Sequence, residues 1–264
     1  MKDDPSPHAS QARRGTLKGG RSSTSRDSRQ GPAGHPGRAL QRPGRGHGGA
    51  CVGVVRSVNR TPLRLALLGD SLAYGSGAAG PGDALGPRLA AALTDAGYDV
   101  DLSVLAVPGA VSRDLAAQVR RAAPLDVDLA VVVVGANDLA RLVPPAQAAA
   151  ALASALAGVR AAGTDVVVVP APDMSTVPWV PSALRPVVQT ASRLLQREQA
   201  AVAHANGAMV AAVSDAVAAA FGTDPALFSA DRFHPSSAGY AHIAEALVPH
   251  VVAAAHARRD GAAA

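Results

Sequence analysis

Ser71, Asn137, Asp231 and His234 are residue types that can transfer an acyl group when a fold brings them together. Ser71 ends the run Leu65-Ala66-Leu67-Leu68-Gly69-Asp70-Ser71, an apolar stretch that stops at a glycine, a carboxylate and a hydroxyl. The pattern predicts a buried strand feeding a turn, with the hydroxyl at the carboxyl edge of a sheet, where open α/β sheets keep their chemistry. A serine is a poor nucleophile until a base takes its proton, and the base needs an orienting group. Of the eight histidines, His204, His242, His250 and His256 fall on predicted helices, in surface or core roles. His234 stands in a loop just before a helix, with Asp231 three residues upstream in Ser229-Ala230-Asp231-Arg232-Phe233-His234-Pro235. The carboxylate can hold one ring nitrogen while the other faces Ser71; the competing reading is a helix-start histidine with Asp231 as a local cap.

Acyl transfer also needs donors aimed at the developing oxyanion. Gly109, in Val107-Pro108-Gly109-Ala110, can present a backbone N–H, and Asn137, in Gly135-Ala136-Asn137-Asp138-Leu139, a side-chain amide. Each has a plainer reading, Gly109 as a turn residue and Asn137 as an Asx-turn or helix cap. Their joint position after successive predicted strands carries more weight than either alone.

The elements that must position these residues alternate regularly. Strands are predicted at 63–69, 99–107, 127–134, 165–170 and 208–213, and helices at about 84–97, 112–122, 145–162, 182–206 and 236–256. Strand–helix alternation implies a parallel sheet covered on both faces. The near-continuous valine of 127–134 and 165–170 fits strands buried on both sides. Right-handed crossovers favour a flavodoxin-like three-layer α/β/α sandwich with a five-stranded sheet in the order 2-1-3-4-5. Pro178, Pro181 and Pro186 break the segment after the fourth strand, which makes 171–181 a loop over the site with Trp179 at its tip. Pro249 is expected to kink or end the last helix.

Charge divides the chain. Residues 1–60 carry 12 Lys and Arg against 3 Asp, a balance of +9, whereas 61–264 carry 13 Arg against 17 Asp and Glu, a balance of −4. The first segment is rich in Gly, Ser, Pro and Arg and cannot bury enough apolar surface to order itself. The expected organisation is therefore a disordered basic tail at 1–60, a catalytic domain at 61–258 and a flexible end at 259–264. Arg38, Arg42 and Arg45 could attract nucleic acid or an anionic surface, but the tail has no aromatic residues for base stacking, so nucleic acid is not an expected partner. The single Cys51 allows no internal disulfide. No apolar h-region occurs in residues 1–50, which predicts a cytoplasmic location, and no apolar stretch is long enough to span a membrane. A valine codon at Val58 is a possible start of the native product.

Gly69-Asp70-Ser71-Leu72, the glycine after the second strand, Gly135-Ala136-Asn137-Asp138 and Asp231-Arg232-Phe233-His234 together resemble the four blocks of the GDSL-type, or SGNH, hydrolase family, in order and at family-like spacing. The resemblance covers about residues 63–256. The glycine block lacks the fuller Asn/Gly-rich pattern of many members. The resemblance implies hydrolysis of esters or thioesters with no metal and no cofactor. It makes Ser71 the nucleophile, His234 base then acid, and Asp231 the orienting carboxylate. The Ser71 N–H, Gly109 N–H and Asn137 amide would form the oxyanion hole, and Asp70 would support the turn.

Other readings fit less well. Gly75-Ser76-Gly77-Ala78-Ala79-Gly80 is a literal GxGxxG, but Pro81-Gly82 follows it where a dinucleotide fold needs a helix, and the second strand ends without an acidic residue. Ser71 is not inside the G-x-S-x-G of α/β-hydrolases. A receiver domain needs a lysine after its fifth strand, and no lysine follows Lys18. No His-x-x-x-His or cysteine cluster suggests a metal. A non-catalytic protein binding nucleic acid or anionic surfaces through its tail is the alternative from a different class. The expected partner is a small-molecule ester, and the expected state a monomer. Leu142, Val143, Val177, Trp179 and Val180 in the loops lean toward a modest acyl group, with Trp179 and Leu142 as substrate contacts.

Overall fold

The computed structural model describes residues 60–213 and 215–262. The expected basic tail and Cys51 lie outside the described residues, apart from Arg60. Five parallel strands form one sheet: β1 (Thr61–Gly69), β2 (Tyr98–Val104), β3 (Leu129–Val133), β4 (Asp165–Val169) and β5 (Met209–Val210), in the order 2-1-3-4-5. The register aligns Val104, Leu67, Val131, Val167 and Met209 in one row across the sheet. Because every strand runs the same way, the segments that follow this row all emerge at one edge.

Alternation along β1 builds the layers. Leu63, Leu65 and Leu67 pack with α2 (Leu85–Asp95) and α8 (Ser237–Ala262) on one face. Ala66 and Leu68 pack on the other face with α3 (Leu115–Ala122), α5 (Pro145–Ala161) and α6 (Arg185–Ala205). The valines of β3 and β4 divide between the two cores, so these strands are buried on both sides. The sandwich is the three-layer α/β/α arrangement expected, and its sheet order is the one that right-handed crossovers favour.

Three elements differ from expectation. β5 is only two residues long: after Val210 the chain leaves the ladder and forms α7 (Asp215–Thr223), which the sequence pattern does not announce. The segment Asp215-Ala-Val-Ala-Ala-Ala-Phe-Gly-Thr is small and apolar nearly all round, so it lacks the one-sided 3.6-residue signature by which a helix is read. The last helix neither ends at Pro249 nor at 256 but runs through Pro249 to Ala262. Residues 259–262, expected to be a flexible end, are therefore helical. Along α8, Tyr240, Leu247 and Val251 are fully buried against the sheet, so packing offsets the donor lost at Pro249. No described helix is long and apolar enough to cross a membrane.

Candidate active site

Ser71 sits on a tight strand–turn–helix. Gly69 has φ +132°, and a Cβ there would lie 1.7 Å from the Val133 carbonyl oxygen, so only glycine lets β1 pass β3 this closely. The buried Gln118 of α3 grips the same residue from both sides: its Oε1 accepts from the Gly69 N–H (2.7 Å) and its Nε2 donates to the Gly69 carbonyl (2.8 Å). Asp70 then caps the four-residue helix α1 (Ser71–Tyr74), accepting from the Leu72 N–H at 3.0 Å. Burial pushes the Asp70 carboxyl up to about 6, against hydrogen bonds from the Leu72 and Gly135 N–H groups. Its carboxylate is consumed by the turn, in keeping with a supporting role.

Segment 229–236 is a self-contained device. The Asp231 Oδ2 lies 2.6 Å from His234 Nδ1, while Oδ1 accepts from the Ser229 hydroxyl (2.8 Å) and from the backbone N–H groups of Phe233 and His234 (2.9 Å each). Arg232 takes a left-handed turn, φ +57°, and the Ser229 N–H closes the loop on the His234 carbonyl at 2.8 Å. Partial burial pushes the Asp231 carboxyl up, but these four hydrogen bonds outweigh it and hold the group well below the usual carboxylate range. An ionised carboxylate only accepts, so Nδ1 carries the ring proton in neutral His234 and Nε2 is left as the basic nitrogen.

The glycine-rich stretch after Ser71 brings this device to the serine. A Cβ on Gly77 would lie 2.8 Å from the His234 Cβ and 2.5 Å from the Pro235 carbonyl oxygen. The hydroxyl of Tyr240, a buried residue in the first turn of α8, donates to the Ser76 carbonyl at 2.8 Å, and the Ala79 N–H donates to the Ser237 hydroxyl at 3.0 Å. The GxGxxG thus packs against the histidine loop. Ser71 and His234 stand in the wall of one cavity of about 330 Å³. No hydrogen bond joins the Ser71 hydroxyl to His234; such contacts often tighten only when substrate is bound.

The third part is a loop held at a distance. Residues 109–112 follow β2 and are tied to α4 (Ala136–Ala140) and the residue after it. The Asn137 Nδ2 donates to the Ala110 carbonyl (3.1 Å), Arg141 donates to the Gly109 carbonyl (2.8 Å), and the Asp138 carboxylate accepts from the Ser112 N–H and hydroxyl (3.0 Å each). Burial pushes the Asp138 carboxyl up, against its bonds to Ser112. Gly109 and Asn137 are thus brought together, and one Asn137 amide hydrogen is committed to the loop. Neither belongs to the wall of the cavity, although Ala136, beside Asn137, does.

The two expected substrate contacts fare differently. Leu142 is 87% exposed and takes no part in the cavity wall, so that expectation is corrected: its φ of +55° belongs to a surface turn between α4 and α5. Trp179 also lies outside the wall, stacked on Phe233 with ring centroids 5.6 Å apart, and Phe233 lines the cavity beside His234. Val177, one of the loop residues expected near an acyl group, does line the wall, and the rest is supplied by parts the sequence pattern did not single out: Met174 after β4, Val213 after β5, Phe221 of α7 and Arg193 and Arg197 of α6. Their signal in the sequence is weak because they converge only when β5 ends early and α7 folds over its end. Among the described residues no group of three or more His, Cys, Asp or Glu could hold a metal ion.

Comparison with known proteins follows the same lines. Residues 67–242 match the GDSL-like Lipase/Acylhydrolase family, a span that contains Ser71, Gly109, Asn137, Asp231 and His234. The chain is 34% identical over 189 residues to the GDSL-like esterase Rv1075c of Mycobacterium tuberculosis, an alignment covering 70% of this chain and 60% of that protein. Among solved structures, TesA is 25% identical with a TM-score of 0.57, over 70% of this chain and 96% of that one. The acetylxylan esterase Axe2 from Geobacillus stearothermophilus is 18% identical with a TM-score of 0.59, over 73% and 95% of the two chains, and shares the fold. The chain belongs to the GDSL-like lipase/acylhydrolase family.

Proposed function

We propose that this protein hydrolyses small carboxylic esters or thioesters through a covalent acyl-enzyme on Ser71. The observation that carries the reading is the 2.6 Å contact between Asp231 and His234 Nδ1, in a loop whose histidine shares a cavity wall with Ser71. Membership of an acylhydrolase family and likeness to a protein named as an esterase support it.

In this mechanism His234 Nε2 removes the hydroxyl proton as Ser71 Oγ attacks the ester carbonyl carbon. Asp231 holds the ring in the productive tautomer and stabilises the imidazolium that forms. Charge on the tetrahedral oxygen is met by the N–H groups of Ser71 and Gly109 and by the Asn137 amide hydrogen not used on Ala110. Collapse breaks the bond to the alcohol or thiol, which leaves with the proton from His234. Water then attacks the acyl-enzyme, with His234 again taking the proton, and releases the acid and free Ser71. The apolar wall formed by Val177, Val213 and Phe221 fits a modest acyl chain.

Ser71→Ala tests the reading directly. On 4-nitrophenyl acetate or butyrate it should lower kcat by roughly 10⁴- to 10⁶-fold, with thermal unfolding by circular dichroism unchanged. Turnover near that of the parent would remove Ser71 as nucleophile.

A further inference from the structure

The cavity that holds Ser71 and His234 also has two guanidinium groups in its wall. Arg193 and Arg197 stand one turn apart on α6, both solvent-exposed and both lining the cavity. Among the described residues no carboxylate lies within 4 Å of either guanidinium, and neither makes a hydrogen bond. Like charges four residues apart on a helix destabilise it slightly, and no ion pair at either arginine offsets the cost. Of the acids in the same wall, Asp173 is already used: its Oδ1 accepts from the Ser175 N–H and hydroxyl, and its Oδ2 from Gln189. Asp215, at the start of α7, forms no ion pair with either arginine. The wall holds three carboxylates, those of Asp70, Asp173 and Asp215, but none forms an ion pair with either guanidinium, so both arginines are left to meet a charged group of a ligand. Between the arginines, Gln196 donates to the Ala171 carbonyl at 2.8 Å and pins α6 to the segment after β4. The helical backbone that carries the pair is thereby fixed relative to the segment after β4.

We infer that the substrate carries an anionic group, such as a carboxylate, on a part remote from the scissile bond, and that Arg193 and Arg197 bind it. Guanidinium forks match carboxylate geometry and exchange little hydration to do so. The inference deepens the esterase reading by naming a substrate class, and rests on it for the meaning of the scissile bond.

The test uses non-hydrolysable anilides, so that binding is read apart from turnover. One pair places the charge on the acyl side, adipic acid mono-anilide against hexananilide; the other places it on the leaving-group side, N-(4-carboxyphenyl)acetamide against acetanilide. Ligand-observed NMR titration of the wild-type chain should show the charged member of one pair binding roughly tenfold tighter than its neutral partner. The pair that shows the preference identifies the side. In the R193Q/R197Q double variant the preference should shrink to within about threefold of unity. No preference in either pair, or a preference that survives the double substitution, overturns the inference. Failure to hydrolyse 4-nitrophenyl esters, with the binding preference intact, would overturn the esterase reading alone.

Discussion

The loop that carries Asp231 and His234 and the loop 109–112, proposed here as acid–base and oxyanion elements, reach the same edge of the sheet by opposite means. Asp231, Phe233 and His234 are wired within three residues of one another, and Ser229 closes the turn, so the geometry of the pair is specified almost entirely by local sequence. Loop 109–112 is wired locally only around Val111, whose N–H donates to Asp114 Oδ2 at 2.9 Å, and at the Ala110 N–H, which bonds the Val107 carbonyl at 3.0 Å. It is held by Asn137, Asp138 and Arg141, side chains 26 to 32 residues away on or just after α4. A local device fails when one of its own residues is changed; a device held from a distance degrades gradually as its several ties are cut.

That contrast orders the expected effects. The largest belongs to the local loop: His234→Ala should lower kcat on a short-chain 4-nitrophenyl ester by roughly 10⁴- to 10⁶-fold, and Asp231→Asn by about 10⁴-fold through loss of the ring's orientation. Steady-state kinetics on both variants would measure this. If Asp231→Asn cost no more than threefold, the carboxylate would be a local cap and the comparison would lose one side.

Asn137→Ala should cost about 10²- to 10³-fold in kcat, because it removes an oxyanion donor and one tie of the loop together. A change under about threefold would take Asn137 out of the site.

Arg141→Ala leaves Asn137 and Asp138 in place and cuts a single hydrogen bond to the Gly109 carbonyl. An effect of about tenfold or less on kcat is expected, with KM little changed, since a net hydrogen bond of about 1 kcal/mol is at stake. A loss as large as that of Asn137→Ala would show that the oxyanion loop depends on one tie, contrary to the distributed picture.

The smallest effect on activity, and the clearest on stability, concerns Asp70, the carboxylate beneath the serine. Asp70 and Asp231 sit in opposite environments, Asp70 pushed up to about 6 by burial and Asp231 held low by its hydrogen bonds. A raised carboxyl binds its proton more tightly in the folded state than in the unfolded state. Asp70 is thus fully compatible with folding below about pH 4 and progressively destabilising as pH rises to about 6, by roughly 3 kcal/mol in total. Asp70→Asn retains a capping oxygen and should remove that dependence. Urea denaturation of parent and variant at pH 4, 5, 6 and 7 checks this, and a constant difference across the series would refute it. For Asp231 the sign is reversed: its contribution is present above about pH 4 and is lost as pH falls through its lowered value.

The fold was legible because its signals are periodic or punctuating. Valine runs at 129–133 and 165–169, helical stripes such as Tyr240, Leu247 and Val251, and the abrupt stop at Gly69-Asp70-Ser71 each report burial or backbone geometry through residue type alone. α7 was not legible, because a segment of alanine, valine and phenylalanine has no polar face to give it a period. The end of α8 differs from expectation for the complementary reason: Pro249 argues locally for a kink or an end, while Leu247 and Val251 are held by the sheet. Leu142 shows a further limit, since an apolar residue in a loop near a site is equally compatible with a cavity wall and with a surface turn.

The sequence by itself determined most of the strands and helices, the turn that carries Ser71 and the closeness of Asp231 to His234, since each rests on near neighbours or on a repeating pattern of burial, and crossover handedness then favoured the strand order. Tertiary structure alone decided what surrounds the serine. The tie of Gly69 to Gln118, the suspension of Gly109 and Ala110 from α4, and the cavity wall built by Arg193, Arg197 and Phe221 join residues far apart in the chain. Such contacts depend on where whole helices come to rest, a collective outcome of packing that no short stretch of residues encodes.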